Sequence, residues 1–341
     1  MNIPDPAPVI EIMEGFRRSK TMFVAVNMGV FDLLEAGPLT SDQVAAALSA
    51  SFSTNQDATQ RLLEGCLALG LLELQDGRFS NSPSATTYLC KSSERAITGY
   101  ILYSNAVLYQ MWGNLEDAVR EGTPRWEQTF GWPGPIFEHF FSTPEKMRTF
   151  TMGMHGLGVS TSPDVVRAFD LSGFRKMVDL GAATGHLVIA ACEAWPELHG
   201  VVFDMEKVTT IAREFVEKSP ACDRITLQPG DFFLGELPPA DLYALGRILH
   251  DWPLDKIRLL LRRIADQLPS GGGLLIAEKL LAEDRSGPVG AHMQSINMLI
   301  CTEGKERSFP EYQALLLEAG FAVIDGKRTG KYLDAILALK G

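Results

Sequence analysis

The stretch "ALGRILHDWPLDK" (residues 244–256) runs apolar and then presents His250, Asp251 and Trp252 before Pro253 closes it. An imidazole at the end of a buried strand can move a proton near neutral pH, provided its second nitrogen is fixed by an acceptor. Glu278, late in the next apolar run, and Glu306, in "TEGKERS", are the carboxylates suited to that orienting role. Asp251 ranks below them, because neighbouring strand residues face opposite sides. The plainer readings are a hydrogen-bonded core histidine, a Glu278–Lys279 pair, and a surface pair of Glu306 with Lys305 or Arg307. As a set, the three residues suggest a general base with two orienters, the ring being neutral near pH 7.

A second constellation lies at "VDLGAATGHL", where Gly181 and Gly185 permit a tight turn between a strand and a helix. In an open α/β sheet a ligand sits beyond the carboxyl ends of the strands. A dinucleotide would place its diphosphate on the following helix N-terminus, usually behind a GxGxxG turn. This turn reads G-A-A-T-G and carries Asp179 just before it, a poor neighbour for phosphate. S-adenosylmethionine (SAM) has no phosphate and carries a sulfonium and an ammonium, so an acidic entrance suits it. Asp204, closing the next strand, can accept from ribose hydroxyls, a feature that NAD enzymes share. In "PGDFF", Asp231 can meet an adenine amine while Phe232 stacks on the ring. Each aspartate alone also reads as a turn or cap residue, but three at successive strand ends favour SAM.

These residues need a scaffold. From about residue 169 strands alternate with helices: 176–181, 199–204, 224–231, 240–249 and 272–281 read as strands, with helices reaching Trp195, Lys218 and Leu268. That grammar predicts a doubly wound parallel sheet of Rossmann-like type. "FAVIDGKRTGKYLDAILALK" reads as two strands around a turn near 328–331, which makes the last strand antiparallel. Residues 1–105 read as a helical, winged-helix-like domain: a helix-turn-helix around "LTSDQVAAALS", capped at Thr40 or Ser41, then a hairpin at Asp76-Gly77. Residues 106–168 form a helical connector contributing to the substrate pocket, and 169–341 the catalytic domain.

The winged-helix layout raises a DNA-binding reading, but residues 1–100 hold seven basic and eleven acidic side chains. A net charge of −11 over 341 residues also argues against a nucleic-acid partner. The N-terminal domain is expected to serve dimerisation instead. With 46% hydrophobic and 21% charged residues the composition is that of a globular protein. No run suggests a membrane span or a secretory signal. Five cysteines, none in a CxxC pair, read as reduced thiols in a cytoplasmic protein. No metal site is expected.

The segment "AHMQSINMLICTEG" (291–304) reads as a helix on which Gln294, Asn297 or Met298, and Cys301 share a face. Its amides need partners if buried, either substrate or neighbouring backbone. Met152, Met154, Met293 and Met298 can clamp an aromatic ring, although core packing explains each alone. His155 lines a pocket or caps a helix.

"GVFDLLEAGPL", "LEDAVREG", "VDLGAATG", "GDFF", "RILHDWPLDK", "SINMLICTEGKERS" and "YLDAILA" follow one another in an order that resembles the acetylserotonin (hydroxyindole) O-methyltransferase family, within the class I SAM-dependent O-methyltransferases. The resemblance covers nearly the whole chain. It implies that Gly181, Asp204, Gly230, Asp231, Phe232 and Arg247 line the cofactor site, and that His250 is the catalytic base flanked by Glu278 and Glu306. It also implies that Asp251 and Asn297 contact substrate, and that the protein is a homodimer. Cys301 departs from a family Gln, and Phe141 and Gly158 stand where Tyr and Trp are expected beside the cofactor. The expected activity is methyl transfer from SAM to a hydroxyl of an aromatic or polyketide-like molecule, leaving S-adenosylhomocysteine. Alternatives are a silent SAM-binding protein and an N- or C-methyltransferase.

Overall fold

The computed structural model describes residues 3–134, 137–138 and 142–341, and the chain divides into two compact units, residues 1–109 and 110–341. In the first, helix α1 (Ala7–Met28) stops at Gly29, whose left-handed φ of 78° returns its N–H to Ala25 and Val26. Helix α2 (Ser41–Phe52) opens with a capping box in which Thr40 and Gln43 exchange side-chain and backbone hydrogen bonds. Helix α3 (Gln56–Ala68) leads into strands β1 (Leu72–Gln75) and β2 (Arg78–Asn81). Asp76 and Gly77, both at positive φ, supply the hairpin turn. Phe31, Leu48, Leu63 and Phe79 centre this unit's core, while Val9, Ile12, Met13 and Phe16 of α1 stay exposed.

The second unit carries α4 (Pro144–Val166) and a seven-stranded sheet. In chain order its elements are β3 (Lys176–Leu180), α5 (His186–Ala194), β4 (His199–Asp204), α6 (Glu206–Val216) and β5 (Ile225–Pro229). Then come β6 (Leu242–Gly246), α7 (Leu254–Gln267), β7 (Gly273–Glu278), α8 (Val289–Cys301), α9 (Phe309–Glu318), β8 (Phe321–Lys327) and β9 (Asp334–Lys340). The order is β5-β4-β3-β6-β7-β9-β8. β9 runs antiparallel to both of its neighbours, so the expected antiparallel last strand is there. Apolar clusters cover both faces. Tyr243, Leu260, Ile264 and Ile276 lie in one cluster; Met177, Leu187, Val202 and Leu275 lie in the other. A sheet buried on both faces explains its continuous apolar strands.

After β5 the chain crosses back to pair β6 with β3. The crevice at that switch point is where a doubly wound sheet receives a ligand. Asp179 and Gly181 stand on one side of it and Arg247 and His250 on the other. One expectation needs correction: the strand read over 240–249 ends at Gly246, and His250 belongs to a 3-10 turn, Leu249–Asp251. Arg247 breaks the strand by taking a φ of 57°, a conformation that residue type does not announce.

Candidate active site

His250 is 3% exposed and sits among three carboxylates. Its Nδ1 lies 2.6 Å from Glu306 Oε1 and 3.4 Å from Glu278 Oε2. Glu278 Oε1 accepts the backbone N–H groups of Leu249 (2.9 Å) and His250 (3.3 Å), so one carboxylate shapes the turn that carries the imidazole. Glu306 stands beside Arg307, whose guanidinium donates to the carbonyls of Leu249 and Trp252, tying this loop to the same turn. Asp251 Oδ1 approaches the other ring nitrogen, Nε2, at 3.7 Å, beyond hydrogen-bond range. The strand-alternation argument that turned Asp251 away therefore fails, because neither residue is in a strand.

Burial disfavours a charged ring at His250, but Glu278, Glu306 and Asp251 outweigh it and lift its pKa to about 9. The same burial pushes Glu278 up to about 7 and Asp251 up to about 6. The surrounding carboxylates thus favour the protonated ring, whereas the sequence suggested a neutral one. The fold also gathers a His-Glu-Glu set that sequence spacing did not mark as metal-binding, with one possible ligand atom from each of His250, Glu278 and Glu306 within 4.8 Å. Of those groups, Glu278 Oε1 is committed to backbone and Glu306 Oε1 to the ring.

Across the switch point, Asp179 is buried and its Oδ2 has no hydrogen-bond partner. Burial, reinforced by the nearby Asp204 carboxylate, raises Asp179 to about 8. Asp204 accepts from Ala183 N (2.8 Å) and Met205 N (2.7 Å), which locks the glycine turn to the end of β4. Gly181 has a φ of 72°, and a Cβ there would come within 2.6 Å of Ile248 Cδ1 and 3.3 Å of Phe232 Cε1. Gly181, Phe232 and the His250 turn therefore meet. Gly230 is required by packing, since a Cβ would strike the Phe203 ring. Asp231 is exposed and accepts from Phe233 N at 2.7 Å.

On α8, Asn297, Met298 and Cys301 are buried and Gln294 half-buried. Two residues that sequence reasoning missed hold this helix. Trp112 Nε1 donates to Asn297 Oδ1 at 3.0 Å, and Trp126 Nε1 donates to the Cys301 carbonyl at 2.7 Å. No spacing rule links indoles to a helix about 180 residues away; buried tryptophans need acceptors, and that was the available signal. Gln294 lines a cavity of about 440 Å³ beside His250, together with Glu306 and Arg247. Asp251, Asn297, Met298, Cys301 and Met154 do not line it. Met154 is half-buried on α4 next to His155, whose Nδ1 shares a 2.8 Å hydrogen bond with Thr184 Oγ1. Phe141 lies outside the described residues. Gly158 has a local reason: a Cβ there would collide with the ring of His186, which hydrogen-bonds Ser162 Oγ at 2.9 Å.

Residues 112–322 match the model of the O-methyltransferase domain, and residues 10–91 that of the O-methyltransferase dimerisation domain. The acetylserotonin O-methyltransferase of Gallus gallus is 40% identical over 98% of this chain and 97% of its own length. The chain belongs to the SAM-dependent O-methyltransferases. A Homo sapiens relative, a probable bifunctional dTTP/UTP pyrophosphatase/methyltransferase protein, is 38% identical over 99% of the chain, which spans 54% of that relative's length. The crystal structure of human N-acetylserotonin methyltransferase in complex with SAM superposes with a TM-score of 0.93 at 36% identity, covering 100% of this chain and 99% of that one.

The site of this O-methyltransferase fits SAM on its own chemistry. Burial raises the cost of ionising both Asp179 and Asp204, the Asp204 carboxylate adds to that cost at Asp179, and one Asp179 oxygen is buried without a partner. A cationic ligand relieves both strains, whereas a diphosphate would add to them. Among the described residues no helix is long and apolar enough to cross a membrane.

Proposed function

We propose that this methyltransferase transfers a methyl group from SAM to a hydroxyl of an aromatic or polyketide-like small molecule, with His250 as general base and the chain acting as a homodimer. Bound SAM supplies an electrophilic methyl group. The observation that carries the proposal is the asymmetry of the imidazole. Two buried glutamates face Nδ1, and among the described residues the carboxylate facing Nε2 is Asp251, outside bonding distance. Glu278 fixes the turn, Glu306 holds Nδ1, and Nε2 takes the hydroxyl proton.

A phenol has a pKa near ~10. A base raised to about 9 is well matched to it, so the proton passes with little energetic penalty. The cost is that the ring must first lose its proton. A cation bound against Asp179 and Asp204 pushes it in that direction. We assign Asp179, Gly181, Asp204, Gly230, Asp231, Phe232 and Arg247 to the cofactor. Asp251, Gln294, Asn297, Met298, Cys301 and Met154 we assign to the acceptor pocket.

The test is release of S-adenosylhomocysteine with a panel of hydroxyindoles, catechols, flavonoids and quinols, comparing wild type with His250→Ala. Turnover of a phenol should fall by roughly 10² to 10⁴ in the variant, the range for loss of a general base. A variant that keeps most of its activity would remove His250 from that role.

A further inference from the structure

The turn between β3 and α5 holds a backbone that its residue types do not all favour. Ala183 has a φ of 51°, between Gly181 at 72° and Gly185 at 79°. A left-handed alanine persists where its surroundings over-determine it. Asp204 is one anchor, accepting the Ala183 N–H at 2.8 Å, and the Gly185 N–H returns to the Ala182 carbonyl at 2.7 Å. The remaining anchors come from α4.

His155, Gly158 and Ser162 stand at i, i+3 and i+7 on α4, which places them on one face of the helix. That face meets the turn. His155 Nδ1 and Thr184 Oγ1 are hydrogen-bonded at 2.8 Å, and the Phe215 ring packs against the imidazole with centroids 4.1 Å apart. Thr184 is wholly buried, so water cannot take the place of that partner. Two residues on, the roles reverse. His186, which opens α5, bonds back to Ser162 Oγ of α4 at 2.9 Å, and its ring sits over Gly158, where a Cβ would come within 2.3 Å of it. Desolvation pushes His155 down to about 4 and His186 to about 3, so both rings are neutral at pH 7 and suited to pairing with a hydroxyl. The residues on either side of Gly185 are thus gripped from a helix 29 and 24 positions back along the chain.

We infer that His155 is a positioning residue for the cofactor: with His186 it clasps the glycine turn to α4 and holds residues 181–185 in the shape that receives SAM. A turn already held in its bound shape loses less affinity to ordering when the ligand arrives. This rests on the assignment of SAM to that turn and adds to it a clasp that touches neither the cofactor carboxylates nor the base.

Calorimetric titration of the full chain with SAM tests the clasp and needs no acceptor. His155→Ala and Thr184→Val should each weaken SAM binding about three- to tenfold. Because both remove the same bond, the double variant should be no weaker than either alone. His155→Asn, which keeps a polar atom near the place of Nδ1, and Thr184→Ser should retain most of the affinity. A bond that serves the fold alone would lower the melting temperature of His155→Ala and Thr184→Val and leave SAM affinity at the wild-type value. That result, or effects that add in the double variant, would overturn the inference. Asp204→Ala tests the assignment beneath it. Unchanged SAM affinity in Asp204→Ala would remove the cofactor from this turn, and the role of the clasp with it. Affinity lost in Asp204→Ala but kept in the His155 and Thr184 variants would overturn the clasp alone.

Discussion

On one side of His250 the ends of β3 and β4 present Asp179 and Asp204; on the other, α8 presents Gln294, Asn297 and Cys301. The first wall is built by local backbone geometry. Gly181 turns left-handed, and Asp204 ties Ala183 and Met205 within a stretch of about 25 residues. The second wall is built by remote contacts, with Trp112 and Trp126 holding α8 from far along the chain. Local geometry sets where charge can sit, whereas remote packing sets only the shape of the space. Substitutions in the first wall should therefore change binding by large factors, and those in the second by small ones.

The largest effects belong to the residue between the walls. Glu278→Ala should lower kcat by about 10² and lower the melting temperature. It leaves two buried N–H groups without an acceptor, each costing about 1–3 kcal/mol. The sign of the pH dependence follows from the raised His250 pKa: the working base is the unprotonated ring, so kcat/KM should climb as pH rises toward about 9 and fall as pH drops. Glu306→Gln keeps an acceptor at Nδ1 but removes a negative charge, so its profile should move to lower pH. A profile unmoved by Glu306→Gln would mean that this carboxylate does not set the basicity of the ring.

Effects on the cofactor wall come next. Asp204→Ala removes the acceptor for Ala183 and Met205, and SAM affinity should weaken about ten- to a hundredfold. Asp179 gives this wall its own pH signature. Its pKa of about 8 falls when a cation binds beside it, so binding releases a proton, and SAM affinity should rise with pH up to about 8 and then level off. Calorimetry in buffers of different ionisation enthalpy measures that proton directly. Asp179→Asn should reduce the release, leaving the share that His250 contributes; a release unchanged in the variant assigns the proton to another group.

The same contrast explains what the sequence revealed. The glycine turn, the helix cap read at Thr40 or Ser41 and the Asp76-Gly77 hairpin are local devices, and each was legible because a few adjacent residues determine the backbone. The sheet was legible because crossovers leave little freedom once strands alternate with helices. The position of His250 on a 3-10 turn was not, since it depends on the left-handed Arg247 and on a carboxylate 28 residues away. The charge state of the ring was hidden for the same reason. It is set by three carboxylates that only the folded chain brings together.

The smallest effect is the sharpest test of the α8 wall. Trp112→Phe preserves most of the apolar bulk and deletes one N–H, leaving Asn297 Oδ1 with only the weak Cys301 Sγ contact at 3.9 Å. The amide is 8% exposed, so water replaces the indole poorly. The loss should be about 1 kcal/mol of stability. If the indole serves to aim Asn297 at the acceptor, KM for the phenol should also rise, by about two- to fivefold, with kcat and SAM affinity unchanged. A stability loss with no change in KM would make the indole a fastener of α8 alone. An equal loss of SAM affinity would be the more damaging result, since it would couple the two walls that the geometry keeps separate.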